Sequence, residues 1–525
     1  MPRCHHDEPH IPFWRIFLVG CFALPAIAGC ADRDQRAVQE AMVAQKALSA
    51  HDLPTAHKAI IAAIADRDDL ADYHILQGRI ELAGGSSTAA FNAYRNALAL
   101  DATNTEALLE VAQLGLTTGN LRDSLDATER LMDLVPNRPD VLLLRGIHSM
   151  IAHNYPEAIN YSNRVLALSP DYIDGAVLKA RALFLLGKPR EALATLEGPS
   201  NEVASSESAA LTRLEIYRAQ GQASSMLAEF ARLRALRPRD LALRLDEANL
   251  RFKLGDRSGG QALVQHVLGS READRTTADQ AISLWQEYGA QDVSSMSLER
   301  ISSQQSSASR VPVARFLLDQ GRAADAAYAL AAFSPRSGDG LKARLLLLEG
   351  KDVQAGQVAQ ATLARDKTDC DALVAASGSA LKRHLADDGL RFAQQAASEC
   401  PSMTSAWLLA ASAYYALGNG SGVSRVYGQA LVANKQSAPL TVAYTRWLVS
   451  QGRKREAVAI ARRLTQYAPA LLSGWRQYQN LCQQFDASCV AEATDGRAKA
   501  STLLGVDLPP GEPPPNGLLG RFVEQ

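Results

Sequence analysis

Cysteine and histidine offer the widest chemistry in this chain, and their spacing decides which functions survive. Seven cysteines and ten histidines could ligate a metal, supply a nucleophile with its base, or close disulfides. His57, His74, His148 and His266 show no zinc-type pairing with one another or with cysteine, and no Cys-x-x-Cys pair suggests redox catalysis. The glycine pairs Gly84-Gly85 and Gly259-Gly260 lack the following lysine of a phosphate-cradling loop. No Gly-x-Ser-x-Gly, His-Glu-x-x-His or kinase-type set occurs. Carboxylates are scattered as on solvated helix faces. No catalytic residue, metal site or small-molecule cofactor is therefore expected, and the chain does not read as an enzyme. With 55 Lys+Arg against 56 Asp+Glu, no net field gathers phosphate backbones, so no nucleic-acid partner is expected either.

The N-terminus reads as an export signal. Arg15 precedes the apolar run from Ile16 to Gly29, too short for a membrane span and right for the core of a secretory signal. The run ends in Ile27-Ala28-Gly29-Cys30, which resembles the lipobox of bacterial lipoproteins. That resemblance implies removal of residues 1–29, diacylation of Cys30 and a short tether over 30–36; the alternative is an ordinary cut after Ala28 with Cys30 an idle thiol. In such lipoproteins an Asp directly after the cysteine favours retention in the inner membrane. Ala31 stands here, so the resemblance implies an outer-membrane lipoprotein facing the periplasm, with inner-membrane anchoring as the alternative.

The positions of the remaining residues depend on the elements that carry them, and these repeat. At 525 residues the chain exceeds the size of one compact core, and a composition 47% hydrophobic but only 6% aromatic favours helix. Gly85, Gly119, Gly187, Gly221 and Gly255 lie one or two periods of 34 residues apart, as do Gly350, Gly418 and Gly452. Pro136, Pro170 and Pro238 share the spacing of the first glycine set, and Pro401 and Pro469 that of the second; Ala56, Ala90, Ala158 and Ala192 form a third phase, followed by Ala355 and Ala457. Glycine suits the turn inside a helical hairpin, alanine the close crossing of its helices, and proline the stop after the second. His51, His153 and His384 stand where other repeats place the turn glycine and are expected as left-handed turn residues.

Gly146, Tyr155, Ala158, Leu166 and Pro170, and again Trp407, Ala411, Tyr414, Gly418, Tyr427 and Ala430, are similar to the tetratricopeptide pattern. The resemblance covers roughly residues 37–500. It implies an all-α fold, an α-solenoid of helix-turn-helix repeats in two halves: about seven repeats over 37–270 and about six over 307–500. Between them 271–306 loses phase and is polar and serine-rich, an irregular or degenerate helical linker. Residues 501–525 form a Pro-rich tail around Asp507-Leu508-Pro509-Pro510-Gly511-Glu512-Pro513-Pro514-Pro515.

With Cys4 and Cys21 in the leader and Cys30 lipidated, Cys370, Cys400, Cys482 and Cys489 remain, an even number for an oxidising compartment. Cys370 opens the first helix of a repeat and Cys400 closes the second, ends that an antiparallel hairpin brings together. Cys482 and Cys489 flank a turn. Two disulfides fit, with free buried thiols as the alternative. The tetratricopeptide resemblance also implies a concave groove lined by first helices, here including Asp72, Arg79, Glu106, Gln113, Asp174, Arg181, Glu215, Arg218 and Asn249, with solvated helix faces as the equal alternative. The function implied is a periplasmic, membrane-tethered protein-interaction scaffold of an envelope assembly or secretion machine, with exopolysaccharide export first among pathways. Other envelope proteins would bind on the concave surface. The alternatives are a pilus or outer-membrane protein assembly factor, and a carbohydrate-binding protein or enzyme using the solenoid as a frame.

Overall fold

A computed structural model describes residues 24–198, 201–288, 307–331 and 338–501, and every regular element among them is helical. The helices run as successive hairpins: α1 (Leu24–Ser49) with α2 (Leu53–Asp66), α3 (Ala71–Ala83) with α4 (Ser87–Leu100), α5 (Thr105–Thr117) with α6 (Leu121–Leu134), α7 (Pro139–Ile151) with α8 (Tyr155–Leu168), and α9 (Ile173–Leu185) with α10 (Pro189–Leu196). A short α11 (Asn201–Ser205) precedes α12 (Glu207–Ala219) and α13 (Ala223–Leu236), then α14 (Leu241–Lys253), α15 (Arg257–Gly269) and α16 (Arg275–Tyr288). The remaining pairs are α17 (Ser307–Asp319) and α18 (Ala323–Ala331), α19 (Asp339–Leu348) and α20 (Asp352–Leu363), α21 (Cys370–Lys382) and α22 (Ala386–Glu399), α23 (Thr404–Ala416) and α24 (Gly420–Ala433), α25 (Ala438–Ser450) and α26 (Lys454–Tyr467), and α27 (Leu472–Phe485) and α28 (Val490–Ala500). This is an α-solenoid of tetratricopeptide-type hairpins.

Each hairpin follows from a few residues. Asn104, Asp240, Asp369 and Ser437 start first helices by accepting the backbone N–H three residues on, which satisfies a donor the helix leaves open. First helices end in a left-handed residue: φ is +79° at Gly119 and +67° at Gly418, and His51, His153 and His384 hold the same place at +57°, +56° and +60°. Ala56, Ala90, Ala158, Ala192, Ala355 and Ala457 are fully buried where the two helices cross. At Gly146 a Cβ would come 2.8 Å from Leu178 of the next hairpin, so the small residue sets the stacking distance.

Two units divide between Thr212 and Arg213. The first unit buries Phe91, Tyr94, Leu108, Leu131 and Val141 in one run of core. In the second, α16 is a packed helix although its sequence is out of phase, because Trp285 is fully buried against Phe316 of α17, ring centroids 5.4 Å apart; residues 289–306 lie outside the described residues. The second unit also returns on itself. Lys253 Nζ, at the end of α14, donates to the carbonyls of Ala470 and Ala500 at 3.0 and 2.9 Å, and Glu287 of α16 accepts from the Ser473 backbone N–H at 2.7 Å and from its hydroxyl. Burial lifts the Glu287 carboxyl above its ordinary range, with Ser473, Arg476 and Lys253 opposing.

Candidate interaction groove

Three first helices, α1, α3 and α5, border a cavity of about 480 Å³ in the first unit. Helix α3 buries Tyr73, Leu76 and Ile80, and residues at three-, four- and seven-residue spacing share a face. That spacing brings Asp72, Ile75 and Arg79 to the cavity. Arg79 grips Glu106 of α5 through both nitrogens, Nε to Oε1 at 2.7 Å and Nη2 to Oε2 at 2.5 Å. Both partners are largely exposed, so the pair is worth under about 1 kcal/mol and serves to fix the two charges in place. Across the cavity α1 presents Val38 and Met42, 47% and 67% exposed. One turn beyond Glu106, burial pushes the Glu110 carboxyl up and Glu106 adds to it, with Arg79 opposing. The cavity thus joins an uncovered apolar strip to a fixed ion pair.

Of the nine groove candidates, Asp72, Arg79 and Glu106 meet here. Gln113 is exposed further along α5. Asp174 is half-buried, its carboxyl raised by burial and drawn back by Arg181, and Arg181 itself is buried rather than open to solvent. In the second unit Arg218 is exposed and Glu215 partly so, and the Asn249 carbonyl accepts from the Tyr288 hydroxyl at 3.0 Å.

The same device recurs in the second unit at residues the sequence reading did not select. Arg344 Nη1 donates to Asp371 Oδ1 at 2.9 Å, and Arg315 donates to Asp371 Oδ2 from Nε and Nη2 at 2.9 and 2.7 Å; Arg344 also pairs with Asp319. Although burial works against it, the two arginines hold the Asp371 carboxyl below its ordinary value. The separation Arg79 to Glu106 equals that of Arg344 to Asp371, 27 residues. That offset, applied along the whole chain, was the available signal. Here Arg344 and Asp371 are buried and, with the more exposed Arg315 and Asp319, tie α17, α19 and α21 together in one network, so that removing any one member leaves the buried charges still partnered.

The cysteines fall into two pairs. Cys370 bonds to Cys400 across the α21–α22 hairpin, Cα atoms 6.3 Å apart, and Cys482 to Cys489 across the turn after α27 at 5.6 Å. Cys30 falls within α1, but its side chain, with residues 1–23 and the tail from 502, is outside the described residues. Among the described residues no His, Cys, Asp and Glu group is arranged to hold a metal, and no helix is long and apolar enough to cross a membrane.

Hairpins of this kind, with these turns and crossings, have a counterpart in known sequences. Residues 149–214 match the tetratricopeptide repeat family. The match spans α8 to most of α12, the stretch with the plainest glycine, alanine and proline phases. No curated protein sequence matches the chain. Solved structures similar to it include PilW, described as a widely conserved type IV pilus biogenesis factor, at 20% identity and TM-score 0.34 over 39% of this chain and 94% of that one. Pseudomonas aeruginosa PilF follows at 18% and 0.31 over 40% and 96%. A tetratricopeptide repeat protein from Parabacteroides merdae shows 17% and 0.31 over 60% and 99%.

Proposed function

We propose that the mature chain is a protein-binding scaffold of a bacterial envelope, tethered through an acylated Cys30 to the periplasmic face of the outer membrane. The observation that carries the reading is the cavity bordered by α1, α3 and α5. Val38 and Met42 lie uncovered beside the Arg79–Glu106 pair, an apolar strip with a charged border that suits an extended or helical segment of another protein. Stacked repeats supply such a surface without any reacting group. The partners are components of an envelope assembly or secretion machine, and exopolysaccharide export is the pathway we favour.

Metabolic labelling with palmitate, followed by membrane fractionation, tests the tether. The wild type takes up label and sediments with outer membranes, and Cys30→Ser is unlabelled and released. A wild type that is unlabelled, or label that survives Cys30→Ser, contradicts it.

A further inference from the structure

Within the second unit a cleft opens in the layer of second helices. It has a volume of about 810 Å³ and lies between α22 and α24, with Trp407, Ala410 and Tyr414 of α23 reaching it from between them. The Arg425 guanidinium lies over the Tyr414 ring, 5.6 Å from its centroid, and donates to the Tyr414 hydroxyl at 3.0 Å. Gln394 donates to the same oxygen at 2.8 Å. Val432, 63% exposed, borders the cleft. So does Gly428, where a Cβ would meet nothing within 4 Å. The space beside Gly428 is therefore open.

The chain itself carries a segment of matching chemistry. Residues 507–515 hold five of its 22 prolines, with Asp507 and Glu512. Proline-rich segments lose little entropy on adopting an extended helix and are recognised by aromatic-lined grooves, and the two acids complement Arg425. The reach also fits. As second helices, α22, α24, α26 and α28 run in the same sense, so the chain leaves α28 at the end of the layer where Ala397, Ser398, Val432 and Ala433 line the cleft. Packed helices lie about 8–10 Å apart, which puts α24 at least roughly 20 Å from α28. The residues from Ser501 to Pro509 span up to roughly 25 Å when extended. We propose that residues 507–515 dock into the cleft between α22 and α24 of their own chain, prolines against Trp407 and Tyr414 and acids toward Arg425.

A photo-cross-linking amino acid in place of Val432 in the full-length purified protein tests this, with peptide mass spectrometry of the adducts. Adducts should fall within 503–517, and in a mixture of light and heavy isotope-labelled protein they should stay within one chain. Gly428→Leu projects a side chain into the cleft from a Cβ that meets no neighbour, and should cut adduct yield at least tenfold with helicity and melting temperature maintained. Gly428→Ala should leave the yield within twofold. Adducts that map elsewhere, join two chains or persist in Gly428→Leu would overturn the proposal.

Discussion

At the scale of single residues, the physics lies in what burial does to a polar group. His148 is buried in α7, its Nε2 2.9 Å from the Ser124 hydroxyl, which in turn donates to the Ala112 carbonyl. Burial, aided by nearby Arg145 and slightly opposed by Ser124, pushes the imidazole from its ordinary 6.5 down to about 4. The folded state therefore resists a proton that the unfolded chain accepts. Stability from this group is complete above pH 6.5 and is lost as pH falls from there toward 4, by about 3 kcal/mol in all. Denaturant unfolding at pH 7 and pH 4 should show His148→Leu losing about 3 kcal/mol less than wild type over that interval. Parallel losses in the two proteins would refute the assignment. Sequence spacing excluded a zinc-type role for this histidine but could not reveal its partner, since Ser124 sits 24 residues away on another hairpin.

Among the elements, the hairpin turn was the most legible feature, because one backbone conformation admits few residues. The 34-residue phase located the glycines and also His51, His153 and His384, which share their left-handed φ. Gly119→Ala should cost about 1 kcal/mol through backbone strain alone, since a Cβ there meets nothing. His51→Gly should be neutral or gain up to about 1 kcal/mol, as relieved strain offsets greater freedom in the unfolded chain. Equilibrium unfolding measures both, and a neutral Gly119→Ala would remove the turn's claim to be strained. Less was legible where helices meet. The Arg344–Asp371 pair has the same repeat offset as Arg79–Glu106 and lies beyond Asn249, the last of the groove candidates. The cleft beside Gly428 is lined by three helices of two hairpins, a juxtaposition that no motif records. In the out-of-phase stretch, the amphipathic pattern of α16 is carried by Ala278, Ala281, Ile282 and Trp285.

For the whole molecule, the repeats stack as nearest neighbours, and in the second unit long-range bonds are added to that order. Lys253 and Glu287 reach residues 470–500 across more than 180 positions of sequence. Lys253→Ala combined with Ser473→Ala should speed amide hydrogen exchange in α14 and α28 at least severalfold and leave α22 to α25 unchanged. Unaltered exchange in α14 and α28 would mean that closure contributes nothing. The central claim concerns recognition in the first unit, and its most direct measurement is quantitative co-purification from detergent-solubilised envelopes, comparing wild type with Met42→Glu and Cys30→Ser. The account predicts one or a few envelope proteins enriched with wild type, reduced at least tenfold by Met42→Glu in a protein of unchanged helicity, and relocated with Cys30→Ser. Partners that bind Met42→Glu as well as wild type, or an absence of enriched proteins, would contradict a scaffold that works through this groove.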